Sequence, residues 1–501
     1  MIRIFIKISF LSTCLTVGAQ SDKRDYTWLF QNNGEPYGFD FNQTGPDVFW
    51  DIPEDLPFEI TGNNASICDK DGNLLYYSNG CHIAGSDNKI IENGSDINYG
   101  EWITIFRNDT CEFYPTTQDI LFLDDPGSPD GHYLIHKPIE IGEPRYKSLR
   151  YSYIERTLGN DNGAVTIKGE HILDGIKFLY SYLTAVPHAN GEDWWLIQVD
   201  DQELIHSILL DDSGFRPVNE EKIPVDFGRN SSASGKPKFS PDGSMYAFYN
   251  PYDDLHLYNF DRETGAFSNR RYLLIEDFPD EIARFSAVEW SPDSRFIYIT
   301  IQDQLWQVDT WETELEDGLE LIDTWNGGGD PFPNQFFLMN LAPDCKIYMC
   351  GFSSASTYHV INNPNAKGQD CDFVQRGIRL PHVSASATMP NFPRYRVDEE
   401  DKCDPTITSI FGEDIYWRRD LVAYPNPVVD QLIVELPDGE KGRLYVFDSA
   451  GQLLWQSKET YVGSEVQLDM SGYATGTYSV EFVPEENKER RLWTSWVVKI
   501  D

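Results

Sequence analysis

The chain has 501 residues, more than one ordinary domain of roughly 100–200 residues holds and enough for two or three. Forty Lys and Arg against 81 Asp and Glu leave a formal charge of −41, which repels phosphate backbones and anionic lipid and so excludes nucleic-acid and membrane-surface partners. With 40 % apolar and 14 % aromatic residues, the chain also carries too much core-forming side chain to be a disordered acidic polymer.

Residues 1–19 read as a cleaved secretory signal. Arg3 and Lys7 precede an apolar run through Phe10, Leu11 and Leu15, and Val17-Gly18-Ala19 puts small residues at the cleavage position. Its removal makes the chain two charges more negative. No later stretch approaches the roughly 18 apolar residues of a membrane span, so no transmembrane segment is expected and the product is exported. Cys14 behind Leu11-Ser12-Thr13 imitates a lipid-acylation site only loosely. Seven cysteines remain: Cys68, Cys81, Cys111, Cys345, Cys350, Cys371 and Cys403. An odd number leaves at least one unpaired, and the spacing has neither CxxC pairs nor zinc-finger intervals, so no metal and no cofactor is expected. In an oxidising compartment one to three disulfides are expected. Cys345, Cys350, Cys371 and Cys403 lie close enough to pair among themselves, with connectivity open.

A turn motif then recurs along the chain. It is faint at Asp71-Gly72, Pro129-Asp130-Gly131 and Asn190-Gly191. It is plain at Ser240-Pro241-Asp242-Gly243, Ser291-Pro292-Asp293-Ser294 and Ala342-Pro343-Asp344-Cys345, each followed by an apolar run. Positions 71, 130, 190, 242, 293 and 344 are separated by 59, 60, 52, 51 and 51 residues. Pro fixes φ at the turn, Asp bonds back to the turn backbone, and the next residue completes the reversal, so each copy is a hairpin held by Asp71, Asp130, Asp242, Asp293 or Asp344. A strand-rich repeat of this length, without helical periodicity, fits a blade of four antiparallel strands, and a closed ring of six or seven blades removes their exposed edges. The fold class is therefore all-β: a six- or seven-bladed β-propeller over residues 20–396. Gly38–Phe41 and Phe392–Tyr395 lie outside the counted turns and are expected to pair and close the ring.

Val397-Asp398-Glu399-Glu400-Asp401-Lys402 is a charge run, and 397–420 reads as a linker. From Leu421 to Asp501, short alternating runs such as Leu432/Val434, Leu444/Val446, Val466/Leu468 and Tyr478/Val480 are separated by Asp438-Gly439, Ala450-Gly451 and Gly472. That is a small β-sandwich.

The tail resembles the C-terminal sorting domain of the type IX secretion system. The resemblance rests on Tyr424-Pro425-Asn426-Pro427, the run from Leu444 through Gly451 to Leu453, Gly476-Thr477-Tyr478 and the terminal Val497-Val498-Lys499. It implies that Tyr424, Pro425, Asn426, Pro427, Gly451, Gly476, Tyr478 and Lys499 belong to a sorting signal. Its partners would be the type IX machinery and a sortase-like protease, and the cargo would end secreted or on the outer cell surface. The charged insertion Pro484–Arg491 departs from the family pattern. The body resembles the exported WD40-like propellers with SPDG-type turns that accompany such tails, through Gly72-Asn73-Leu74-Leu75-Tyr76-Tyr77, Pro187-His188-Ala189-Asn190-Gly191 and Met389-Pro390-Asn391-Phe392-Pro393; their activity is uncharacterised.

No zincin, nucleophile-elbow or P-loop motif is present, and the tail is too small for a hydrolase domain. His188 beside Glu192 and Asp193 has the elements of a general base, but reads better as a turn anchor. Asp69-Lys70-Asp71-Gly72-Asn73 begins like a calcium loop yet has Gly80 where the distal Glu belongs. Trp194, Trp195, Trp290 and Trp306 read as core rather than a sugar platform, and Gly327-Gly328-Gly329 as a loop without the cations a phosphate cradle needs. No catalytic residue is assigned. Binding of an extracellular protein or glycan is favoured; the alternative is a polysaccharide lyase or hydrolase in the propeller channel, which three or more converging Asp, Glu, His or Arg at the channel mouth would favour.

Overall fold

The computed structural model describes residues 22–42, 49–51, 56–100, 103–104, 111, 114, 116–139, 147–157, 160–179, 181–224, 236–251, 254–275, 285–329, 331–384, 387–399, 403, 417–437, 441–448, 453–458, 460–463, 465–484 and 491–500. The expected signal segment, Cys14, Gly451 and most of the charged insertion lie outside the described residues. The chain divides into two compact units, residues 1–376 with 380–408 and residues 377–379 with 409–501.

Among the described residues the first unit is built of seven antiparallel sheets, five of four strands and two of three. Their first strands are Thr27–Asn32, Ala65–Cys68, Leu121–Asp125, Thr184–Pro187, Lys236–Phe239, Ser286–Trp290 and Phe336–Leu341. First strands of successive sheets pack on one another around an axis. Between the third and fourth sheets Ser181 N donates to Asp119 Oδ1 (2.7 Å). The ring closes where the first sheet meets the seventh: Phe39 lies 5.5 Å from Tyr348 and Phe30 6.1 Å from Tyr358, and the Tyr37 and Tyr358 hydroxyls are 3.1 Å apart. A sheet clamped between two others is apolar on both faces. Thus Trp194–Val199 and Phe296–Ile301 are buried at every position, whereas outer strands such as Gly214–Lys222 alternate toward solvent. Leu179, Val186, Trp195, Phe239, Tyr246 and Phe248 fill one such inter-sheet layer, each worth about 1.5–3 kcal/mol when fully buried.

Three turns share one geometry. Gly243 N donates to Ser240 O (2.9 Å), Ser294 N to Ser291 O (3.0 Å) and Cys345 N to Ala342 O (3.0 Å). Asp242 Oδ1 accepts from Ser244 N (3.0 Å), Asp293 Oδ1 from Arg295 N (3.2 Å) and Asp344 Oδ1 from Lys346 N (3.1 Å). The residue after each Asp is left-handed, with φ of 71°, 61° and 67° at Gly243, Ser294 and Cys345. Gly72 and Gly191 take the same conformation. Two expectations are corrected. At the first turn the acceptor is Asp69, whose Oδ1 takes Asp71 N and Asn73 N (both 2.9 Å), so Asp71 is not the anchor. Asp130 lies within the strand Ser128–His136; the reversal of that sheet is at Asp125, whose Oδ1 accepts from Gly127 N (2.8 Å).

Two further corrections concern closure. Gly38–Phe41 belongs to the first sheet, in which Glu35–Asp40 pairs with Thr27–Asn32, but Phe392–Tyr395 is no strand. The expected linker does not start at Val397 either: Val397 is buried in the inter-sheet layer, Asp398 pairs with Arg262 (2.8 Å), and Cys403 is disulfide-bonded to Cys345. A second disulfide, unforeseen, joins Cys81 to Cys111. The Cys345–Cys403 bond meets the expectation of at least one bridge among the four clustered cysteines; the other two candidates, Cys350 and Cys371, are free and buried, as is Cys68. Burial pushes the Cys350 thiol up to about 12, which leaves it without nucleophilic thiolate.

The second unit is a β-sandwich. One sheet runs Trp417–Asp420, Arg491–Lys499, Gly476–Pro484, Lys441–Asp448, Leu453–Gln456; the other runs Val422–Tyr424, Gln431–Glu435, Glu465–Asp469. Leu432, Val434, Leu444, Val446, Leu468, Val480, Phe482 and Val497 form its core, one residue in two along each strand.

The turn geometry separates two aspartates that look alike in sequence. Asp242→Ala is expected to lower propeller stability by about 1 kcal/mol, the worth of a side chain to backbone hydrogen bond, while Asp130→Ala changes it by less than about 0.5 kcal/mol. Urea unfolding midpoints of the two variants check this; equal losses would refute the distinction.

Candidate functional site at the propeller axis and turn face

The axis is occupied by Thr388–Arg396, which links side chains and backbone to every sheet. Gly62 N donates to Thr388 Oγ1 (2.8 Å), and Asn340 Nδ2 donates to Pro390 O (2.7 Å). Asn391 N donates to Asn64 O (2.9 Å), and its side-chain amide is shared among the carbonyls of Gln118, Ile120 and Leu183. Phe392 packs 6.1 Å from Trp28. Arg394 Nε donates to Phe239 O (2.9 Å), its guanidinium sits on Glu289, and that of Arg396 grips Asp25 (2.8 Å). Two prolines, Pro390 and Pro393, and no alternation mark this segment in sequence, which is why a strand was the wrong expectation.

Deeper along the axis lie charges that no motif announced. Lys137 and Asp119, both fully buried, pair at 2.6 Å, and Lys236 Nζ donates to Thr117 Oγ1 (2.7 Å). Burial lowers the Lys236 amine to about 7 and that of Lys238 to about 8, Glu289 opposing the latter.

On the face that carries the turns, a cleft of about 710 Å³ opens between Asp69 and Lys70, the Asp124–Pro129 reversal, Trp194 and Tyr395. Arg24 reaches Asp22 Oδ2 and Asp124 Oδ2, each at 2.6 Å, and Asp124 Oδ1 lies 3.4 Å from His132 Nε2. Burial pushes the Asp22 carboxyl up to about 6 against the pull of Arg24, and lowers His132 against the pull of Asp124. His132 is therefore neutral at pH 7. Tyr395 is held edge-on to Trp194 at 5.9 Å with the Arg24 guanidinium 5.6 Å from its ring. Asp124 and His132 are cross-strand partners at positions where the buried face otherwise takes Phe122 and Leu134. A polar pair in apolar register is the signal by which they were readable.

His188 lines up with the turn system: its Nδ1 accepts from Asn190 N (3.1 Å), and Nε2 donates to Glu263 O (3.1 Å). Asn190 Oδ1 in turn accepts from Glu192 N and Asp193 N (both 3.0 Å), so both ring nitrogens are engaged with backbone. Among the described residues no group of three or more His, Cys, Asp or Glu is placed to hold a metal. The Trp195 and Trp290 rings are core; Trp194 alone of the expected tryptophans borders the cleft.

In the tail, the residues quoted for sorting converge although they are far apart in sequence. Asn426 Oδ1 accepts from Val498 N (2.9 Å), Val428 N donates to Val498 O (2.8 Å), and Gly476 pairs across the sheet with Lys499. The Tyr424 hydroxyl donates to Glu465 (2.9 Å) and that of Tyr478 to Ala474 O (2.6 Å). Tyr424-Pro425 and Asn426-Pro427 are cis.

Residues 422–494 match the family of secretion system C-terminal sorting domains. The tail is thus a type IX sorting domain, which implies export to the cell surface or secretion. No curated protein matches the chain. Among solved structures the chain is similar to a functionally unknown protein from Desulfotomaculum acetoxidans (10 % identity, 74 % of this chain and 99 % of that one, TM-score 0.40). It is also similar to the periplasmic gluconolactonase of Pseudomonas aeruginosa (14 %, 71 % and 89 %, TM-score 0.34) and to the Dos1 propeller (10 %, 66 % and 74 %, TM-score 0.35).

Asn391→Ala removes the side-chain donor shared by three buried carbonyls, those of Gln118, Ile120 and Leu183, and is expected to cost about 2–4 kcal/mol. Denaturant unfolding measures the loss; a change below about 1 kcal/mol would show that the axial segment does not hold the sheets.

Proposed function

We propose that this protein is an exported binding propeller, which presents a ligand site on its turn face to a protein or glycan outside the cell. In this reading residues 1–19 are a cleaved signal, residues from 20 form the propeller, and 421–501 are the address domain handled by the type IX machinery and its sortase-like protease. The observation that carries it is the filled axis: Thr388–Arg396 occupies the place where a channel enzyme would keep substrate, while the turn face beside it stays open as a cleft. Asp25, Glu289, Arg394 and Arg396 do converge there, the pattern that would favour catalysis. Each carboxylate is matched to a guanidinium of the axial segment, however, so all four are engaged in holding it.

Two experiments test the reading. Deleting residues 421–501 should leave a folded propeller in the periplasm of the producing cell; unchanged appearance on the surface or in the medium would remove the sorting role. Purified full-length protein should show no turnover on polysaccharide and peptide panels. A turnover that His188→Ala abolishes, in protein still folded by circular dichroism, would make it an enzyme instead.

A further inference from the structure

The turn-face cleft has a wall that the protein leaves incomplete. His132 is 2 % exposed and Tyr395 8 % exposed, yet His132 Nδ1 and the Tyr395 hydroxyl have no hydrogen-bond partner among the described residues. The Nε of Arg156 is likewise buried and unmatched. All three residues line the same cavity. An unmatched buried polar atom costs about 1–3 kcal/mol, so three in one wall mark a place that a polar ligand completes.

The chemistry of these atoms selects the ligand. Neutral His132, whose Nε2 faces Asp124, offers Nδ1 as an acceptor; Tyr395 offers a hydroxyl that both donates and accepts; Arg156 offers an N–H donor. This mixture of acceptors and donors, of which only the Arg156 guanidinium is charged, suits hydroxyl groups, each of which also donates and accepts. Around it, carboxylates outnumber Lys and Arg eight to three among the lining residues. That field opposes uronate or sulfate groups. The volume lies within the range of small-ligand sites.

We infer that the cleft binds a short segment of neutral or amine-bearing glycan, with ligand hydroxyls on His132 Nδ1, the Tyr395 hydroxyl and Arg156 Nε. The inference rests on the reading of the turn face as the binding surface and narrows it to one ligand class.

Calorimetric titration of the full-length protein with chitotriose, its deacetylated amine form, maltotetraose, cellotetraose, trigalacturonate and tetralysine tests it. At least one neutral or amine sugar should bind, trigalacturonate should not, and Tyr395→Phe, which deletes only the unmatched hydroxyl, should weaken the sugar about tenfold at an unchanged melting temperature. His132→Asn gives the second measurement should the first variant fold poorly. Trigalacturonate binding as tightly as the others, or sugar binding untouched by both variants, overturns the inference. If tetralysine alone binds and Tyr395→Phe or Glu192→Lys alters it, the glycan class fails while the turn face stands as a binding surface. If no probe binds, the glycan class fails, and with it the support the cleft gives to that surface.

Discussion

Everything in the first unit depends on closing a ring of sheets that is not closed by one continuous strand ladder. Each sheet is apolar on both faces and is stable only between two neighbours, so an open arc would leave two unmatched faces such as that of Trp28 and Phe39. Two devices prevent this. Aromatic packing of the first sheet on the seventh supplies the apolar contact, and the axial segment supplies hydrogen bonds whose partners are spread over all the sheets. Asn391 alone spans backbone groups of the second, third and fourth. The Cys345–Cys403 bridge then secures the chain beyond the axis to the seventh sheet, closing a separation of 58 residues.

The same segment accounts for the distribution of charge. A chain with a formal charge of −41 has no need of buried cations for solubility, and among the described residues few carboxylates are buried. The buried ones are another matter. Glu289 and Asp25 would be prohibitive inside the ring without Arg394 and Arg396, and removing either guanidinium would strand a charge. Arg394 and Arg396 therefore reach the axis together with their carboxylates. This coupling fixes the position of Tyr395 between them, and with it the wall of the cleft: the closure device and the candidate binding site share one stretch of backbone.

How much of this could be read in the sequence follows from which interactions are local. The turns at Asp242, Asp293 and Asp344 bond within four residues, so their 51-residue recurrence was visible and led to the propeller. Asp130 misled because Pro-Asp-Gly is turn-like anywhere, and only the pairing of Gly131 with Glu155 shows it to be strand. Asp71 misled because the acceptor two residues earlier serves the same turn. The axial segment was legible only as irregular, since its partners lie up to 374 positions away and no spacing announces them. The cysteines repeat the lesson: four near one another in sequence gave one bond, Cys345–Cys403, while Cys350 is buried within the strand Ile347–Gly351 and stays free.

The tail shows the opposite balance. Its family was readable because its signal consists of short motifs, but their arrangement was not. Folding brings Asn426 against Val498 and Gly476 against Lys499, so segments from both ends of the domain build one corner of the sandwich. Gly476 enters the strand Gly476–Pro484 directly opposite Lys499, and Val428, in the connection between Val422–Tyr424 and Gln431–Glu435, bridges the same Lys499. A receptor that recognised this corner would read the folded domain and not a linear peptide, because only the completed sandwich places the Tyr424–Pro427 turn beside the last strand. Recognition by tertiary proximity would let an export apparatus distinguish a finished address domain from an unfolded chain of the same sequence.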